Sequence, residues 1–261
     1  MKRYVVFVLL ISHSCFAQRW EAEIMAGVSG YNGDLTEQIF SPKNRGPAAG
    51  FNLKYNYNDI FIFRGGITWG RISGDDKNNH KADLKCRNLN FHTDIVEANL
   101  CVEVNLFEPD FFSAYPYVFA GAGVFHFNPY TYDDNGKKIY LQPLGTEGQG
   151  LPVYPKRKPY SLTQFCLPFG GGMKINLNKK CDLVYELAGR VLLTDYLDDI
   201  STTYVNTQTL MTSHRPKAAE LAYRQTDAPF PNEGDIRGNP KVKDLYFITG
   251  LKLLIRLGRE R

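Results

Sequence analysis

Two runs flanking Asn178-Lys179-Lys180 constrain this chain more than any other feature. Before that tight turn, Phe165, Leu167, Phe169, Met173, Ile175 and Leu177 fall on alternate positions, and after it Leu183, Tyr185, Leu187, Val191 and Leu193 do the same. A period of two belongs to a strand with one apolar face. The positions between carry Gln164, Lys174 and Asn176, then Asp182, Glu186 and Arg190. Such a face cannot line an oily core, so it must meet water or opposite charge. Apolar on one side and charged on the other is how a strand of a membrane barrel reads.

The same alternation recurs along the chain. Trp20, Ala22, Ile24, Ala26 and Val28 alternate with Glu21, Glu23, Met25 and Ser29, and Ala49, Phe51, Leu53, Tyr55 and Tyr57 with Asn52, Lys54 and Asn56. Phe61, Phe63, Ile67 and Trp69 follow the Asn58-Asp59 turn; Val96 to Leu106 and Leu245 to Leu257 complete the set. Tyr115 to Asn128 reads ambiguously, because Ala120, Gly121, Ala122 and Gly123 fill its middle. Connections near 58–60, 108–114 and 178–181 are short, whereas those near 32–47, 74–88, 130–159 and 195–243 are long. The expected fold is therefore all-β: an antiparallel transmembrane barrel of about eight strands, with short periplasmic turns, long extracellular loops and periplasmic termini. A soluble sandwich could alternate similarly, but its connections would not sort by length, nor would its inward faces carry Glu and Arg.

Parity assigns Glu21, Glu23, Glu97, Glu103 and Glu186 to the interior, with Lys54, Arg64, Lys174, Arg190, Lys252 and Arg256. A barrel of this size has room only for its own side chains. Charges of nearly balanced sign there should pair, since an unpaired buried charge is costly. The expected interior is closed and charge-filled rather than a channel, which moves function to the loops or the outer surface.

The first residues read as a secretory signal: Lys2 and Arg3, an apolar run from Tyr4 to Ile11, and a small-residue cleavage site ending at Ala17. A lipoprotein signal with Cys15 as acceptor is the competing reading, but Ser12-His13-Ser14 lacks the apolar residue expected before such a Cys. The domain division is then a signal peptide at 1–17 and an outer-membrane barrel at 18–261. No other apolar run approaches the 18 residues of a membrane helix. A net charge of +4 and no basic block argue against nucleic acid. Cys86, Cys101, Cys166 and Cys181 fall on a loop, two strands and a turn, without zinc-like spacing, and read as isolated thiols.

Two loop stretches stand out. In YLQPLGTEGQGLP, Gly145, Gly148 and Gly150 permit sharp turns while Pro143 and Pro152 stiffen the ends, with Glu147 between them. In TDYLDDISTTY, Asp195, Asp198, Asp199 and Ser201 offer oxygens of the kind calcium favours, around Tyr196; turns and helix caps use the same residues. No metal site or cofactor is assigned. His92, His126, Ser161 and Asp195 are the polar candidates for catalysis, and no GxSxG or HExxH motif frames them. Catalysis is not expected.

The chain resembles the PorG family of outer-membrane barrels, components of the type IX secretion system of Bacteroidetes-type bacteria. The resemblance is carried by SGYNGDL (Ser29 to Leu35), RNLNFHTDIVE (Arg87 to Glu97), PYVFAGAGVFHFNP (Pro116 to Pro129), QPLGTEGQG, TDYLDDISTTY and Arg237-Gly238, in order over nearly all the mature chain. It implies a non-enzymatic part of the secretion machine in the cell outer membrane, in contact with lipid and with other secretion components. Its implied partners are ring proteins of the PorK and PorN type, which it would couple to the membrane. A generic outer-membrane barrel with a surface-binding or envelope-stabilising role is the alternative. The motif-bearing loops lie away from a periplasmic ring, so ring contact falls to turns and termini including Lys179, Lys180, Arg256, Arg259 and Arg261.

Overall fold

The computed structural model describes residues 19–36, 44–79, 82–109, 111–213, 215–225, 229–241 and 243–258. The expected signal peptide, Arg259 and Arg261 lie outside them. Ten strands form: β1 (Trp20–Asn32), β2 (Gly46–Asn56), β3 (Phe61–Asp75), β4 (Asn90–Asn105), β5 (Ala114–His126), β6 (Tyr130–Tyr132), β7 (Lys138–Tyr140), β8 (Thr163–Asn178), β9 (Cys181–Leu192) and β10 (Leu245–Arg256). All but β6 and β7 make one antiparallel ring in the order β3-β2-β1-β10-β9-β8-β5-β4. β4 returns to β3 in register from Phe61↔Val104 to Asp75↔Asn90. This is a closed eight-stranded barrel. Closure leaves no unpaired edge in the ring, the condition for β-structure to cross hydrocarbon.

The faces divide as the alternation dictates. Ile24, Phe51, Phe63, Ile67, Leu100, Phe165, Tyr185 and Leu251 stand exposed on the outside, whereas Glu23, Lys54, Glu103 and Lys174 are buried within. An apolar girdle around a charged interior fits a bilayer, which solvates the first and excludes the second. No described helix is long and apolar enough to cross a membrane.

The ambiguous segment resolves as β5. Tyr115, Tyr117, Phe119 and Phe125 point inward; Val118, Ala120, Ala122 and Val124 point out. Gly121 is required where β5 presses on β4, because a Cβ there would lie 2.1 Å from the Leu100 carbonyl oxygen. A larger residue would break the close approach of the two backbones.

The short connections are 57–60, 106–113 and 179–180, and the four long ones gather at the opposite end. Two of the long ones hold α-helices that composition hides. The polar stretch after β3 contains a 3-10 turn (Asp76–Asn78) and α1 (Ala82–Arg87), so Cys86 sits on a helix rather than a loop. The connection after β9 contains α2 (Thr207–Thr212), capped by the Asn206 side chain accepting from Thr209 N–H, and α3 (Pro216–Ala222), opened by its proline. Cys181 opens β9 rather than sitting in the turn, and all four described thiols are free.

Candidate functional site

The interior is organised around a closed cycle of charge. Glu23 lies 2.7 Å from Lys54, and Lys54 lies 3.1 Å from Glu103. Glu103 meets Arg64 at 3.5 Å, Arg64 meets Glu186 at 2.6 Å, Glu186 meets Lys252 at 2.7 Å, and Lys252 returns to Glu23 at 3.0 Å. Carboxylate and cation alternate around the whole loop. Lys174 adds a further contact to Glu103, and the Tyr117 hydroxyl donates to Glu186 at 2.7 Å. The six members of the cycle come from β1, β2, β3, β4, β9 and β10; Tyr117 and Lys174 come from β5 and β8. Each barrel strand thus contributes one side chain to a single polar layer.

Smaller pairs lie on either side of it. Toward the long loops, Glu97 accepts from Arg190 Nε at 3.0 Å, from Asn99 at 2.7 Å and from the Tyr246 hydroxyl. Toward the short turns, Arg256 lies 2.6 Å from Asp182 and 3.7 Å from Glu21. Asp182, placed by the alternation on the charged face but missing from the interior count, evens the balance: Glu21, Glu23, Glu97, Glu103, Asp182 and Glu186 face Lys54, Arg64, Lys174, Arg190, Lys252 and Arg256 one for one. It shares its face with Glu186 and Arg190, and burial confirms that it belongs to the interior with them. Opposite charge at hydrogen-bond distance is what makes such burial tolerable.

The long loops close over this interior as a crown. In the glycine-rich stretch the backbone reaches φ of 62°, 79° and 76° at Gly145, Gly148 and Gly150, and Pro143 sits in a 3-10 turn over Gln142–Leu144. A Cβ at Gly148 would lie 2.8 Å from the Tyr154 ring. These turns aim Glu147 inward. Its carboxylate accepts from the N–H groups of Ser201 and Thr202 at 3.0 and 3.1 Å, the Thr202 hydroxyl at 2.6 Å, the Tyr196 hydroxyl at 3.2 Å and Arg237 at 2.9 Å. Arg237 also donates to the Asp199 carbonyl at 2.6 Å. Arg87, paired with Asp76 through two 2.8 Å bonds, donates to the Arg237 carbonyl. It reaches the Asp34 carbonyl at 3.0 Å as well. All four long connections are therefore tied at one point, beneath which Tyr31, Phe91, Phe127, Leu197 and Ile200 form an apolar floor.

The aspartates of TDYLDDISTTY do not converge on a shared centre. Asp198 accepts from the Tyr31 hydroxyl and Ile200 N–H, Asp199 from the Thr146 and Tyr160 hydroxyls, and Asp195 from Ser201 at 2.8 Å. Among the described residues no group of His, Cys, Asp and Glu could hold a metal ion. The catalytic candidates are also dispersed: His126 meets Thr163 on the outer wall, His92 stacks on Tyr130, and Ser161 donates to the Thr163 carbonyl. No described hydrogen bond joins any two of His92, His126, Ser161 and Asp195.

Burial sets the protonation of the crown. It pushes Asp195 and Asp199 up to about 6, against the pull of Ser201 on the first and of Arg237, Thr146 and Tyr160 on the second. Burial acts on Glu147 too, but Arg237 and the donors of Thr202 and Ser201 outweigh it and hold that carboxyl below its ordinary value. Asp195 and Asp199 bind protons more readily folded than unfolded. Their contribution to stability is complete below about pH 4 and is lost as the pH rises through about 6. Glu147 has the opposite sign, in a more acidic window. Amide protection over 194–204, corrected for intrinsic exchange, is expected to be higher at pH 5 than at pH 7.5 by about tenfold for each of the two, the equivalent of one pKa unit apiece. Replacing both aspartates by asparagine should remove most of that difference; an unchanged difference would contradict the assignment.

Residues 2–144 match the family described as "Domain of unknown function (DUF6089)". Among curated protein sequences, nothing matches. Similar solved structures include Neisserial surface protein A, with 8% identity, a TM-score of 0.46, and coverage of 91% of this chain and 96% of that one. A major outer membrane protein from Thermus thermophilus has 11% identity, a TM-score of 0.44, and coverage of 90% and 99%. The N-terminal β-barrel domain of Pseudomonas aeruginosa OprF has 10% identity, a TM-score of 0.41, and coverage of 91% and 97%.

Proposed function

The chain belongs to the DUF6089 family, and from that premise we propose that it is a non-enzymatic outer-membrane component of the type IX secretion system. In this reading it couples a periplasmic ring of the PorK and PorN type to the membrane. The observation that carries the reading is where the PorG-like stretches come to rest. Glu147 of QPLGTEGQG, Asp198 and Asp199 of TDYLDDISTTY, Arg87 and Arg237 all enter the crown. Residues of a shared motif are thus spent on fixing loops over a filled barrel, which suits a scaffold better than a conduit.

With short turns toward the periplasm, ring contact falls to 57–60, 106–113 and 179–180. Arg256 is engaged by Asp182 and Glu21, which favours other residues for that role. Lys179 and Lys180 stand at the rim beside the Asn178 turn. On the adjacent turn, Phe107, Phe111 and Phe112 are exposed, Phe111 by 77%. An exposed cluster of aromatic side chains of this kind commonly marks a contact surface.

In-frame deletion of the gene is expected to abolish secretion of type IX cargo, and a tagged chain is expected to retain the ring proteins through detergent extraction. Normal secretion in the deletion strain would remove this reading and leave the second one, an envelope-stabilising or surface-binding barrel. The crown favours that second reading to the extent that it presents an ordered surface outward.

A further inference from the structure

Above the apolar girdle, the outer wall across β3, β4, β6 and β7 changes character row by row. Trp69, Val96, His126 and Thr163 are register partners and form one row. Two residues further out, Arg71 faces Asp94. Two more bring Ser73, His92, Tyr130 and Tyr140 into line, and beyond them Tyr132 faces Lys138. Two residues along a tilted strand climb about 5 Å. Arg71 therefore lies about 5 Å above the Trp69 row, and the Tyr130 row about 10 Å above it. Ile67 and Leu100, below, are bare and apolar. The girdle thus ends near Trp69, and the next rows stand at the depth of lipid headgroups.

We propose that this face binds the phosphorylated sugar headgroup of an outer-leaflet glycolipid of the lipid A kind. The aromatic rows supply flat surfaces for the C–H faces of pyranose rings. His92 stacks on Tyr130 at 5.6 Å and 30°, while Tyr132 and Tyr140 meet Tyr130 edge-on at 5.8 and 6.1 Å. Tyr132 and Tyr140 keep 44% and 43% of their surface open. Lys138 supplies charge for a phosphate. Its ammonium lies 3.6 Å from the centre of the Tyr130 ring and 4.9 Å from that of Tyr140, with no carboxylate partner among the described residues. Ring faces hold a cation in place without neutralising it, leaving it able to bind an anion. Arg71, clamped by Asp94 at 2.8 and 3.2 Å, sets the lower edge of the site.

The occupant is a membrane lipid rather than a free glycan because these rows continue the girdle upward without a break; a headgroup whose acyl chains lie along Ile67 and Leu100 reaches them directly. A plain phospholipid would meet Arg71 and Lys138 but leave the ring faces bare. The inference rests on the long loops lying outside the cell. It is independent of any part in secretion.

The test is lipid retention by the purified barrel in nanodiscs containing lipid A or phosphatidylglycerol of matched chain length, counted by native mass spectrometry. Wild-type protein should retain lipid A about tenfold better than phosphatidylglycerol. A Tyr132→Ala, Lys138→Ala, Tyr140→Ala variant should lose that preference, while Tyr132→Phe with Tyr140→Phe keeps it. Tyr185→Ala, on the outer face of β9, should also keep it. Heat-modifiable migration on gels reports in each case that the barrel is folded. No preference in the wild type, or a preference surviving in the folded triple variant, would overturn the proposal. Secretion is not part of the readout, so this inference and the secretion reading fail separately.

Discussion

Glu103→Ala should be the most damaging single change in the barrel wall. Glu103 is fully buried and shared by Lys54, Arg64 and Lys174. Its loss leaves three cations facing a low-dielectric interior with one carboxylate fewer. Removing one partner of a buried pair costs about 3–5 kcal/mol, because the survivor keeps its charge and loses its compensation. Here three survivors share the deficit, so the upper part of that range is expected. The check is a denaturant titration in detergent, followed by the shift between folded and unfolded bands on a gel. Arg71→Ala is the control. Arg71 also pairs bidentately, with Asp94, but the side chains are 47% and 34% exposed, and an exposed pair contributes about 0–1 kcal/mol. Similar losses from both changes would show that the interior behaves as if wet, contrary to the burial of the cycle.

Glu147→Ala should release the crown and leave the barrel below standing. The carboxylate holds two backbone N–H groups, two hydroxyls and the Arg237 guanidinium, all drawn from 196–237. Each buried donor left without an acceptor costs about 1–3 kcal/mol, more where the donor is charged. The connection after β9 keeps other polar anchors, among them Arg157 to Thr203 and Tyr160 to Asp199, but none of them gathers as many buried donors, and so it loosens first around 196–204. On intact cells the expected result is at least about a hundredfold faster cleavage by external protease within 193–244, as a loss of about 3 kcal/mol implies. The denaturant midpoint of the wall should move far less, since Arg237 and Glu103 share no partner. Equal loss of crown and wall would mean that the two unfold as one unit.

The wall was readable and the crown was not, for a physical reason. Strand faces repeat every two residues, so each of Glu23, Lys54, Arg64, Glu103, Glu186 and Lys252 could be assigned inward from its immediate neighbours alone. Even the omitted Asp182 obeys that rule. The Tyr115–His126 segment resisted because alanine and glycine give no contrast between faces; its facing is decided by ring packing and by the Tyr117 hydroxyl bond to Glu186. The crown depends on contacts between residues far apart in sequence, such as Glu147 with Arg237 and Arg87 with the Arg237 carbonyl. No local period announces them. TDYLDDISTTY illustrates the limit: its residues suit calcium, turns and caps alike, and only the fold shows Asp198, Asp199 and Asp195 turning to Tyr31, Tyr160 and Ser201.

The charged cycle also bears on how the wall is put together without error. A strand that slid two residues along its neighbour would still turn grease outward, and most of its ladder could re-form, so oil and water alone do not reject the mistake. That slip would, however, carry one member of the cycle about 5 Å out of plane and strand both of its neighbours. Six strands checked against one another in this way have a single arrangement that satisfies them all. Proofreading of alignment is thus written into the interior, and the last strand to arrive completes the count.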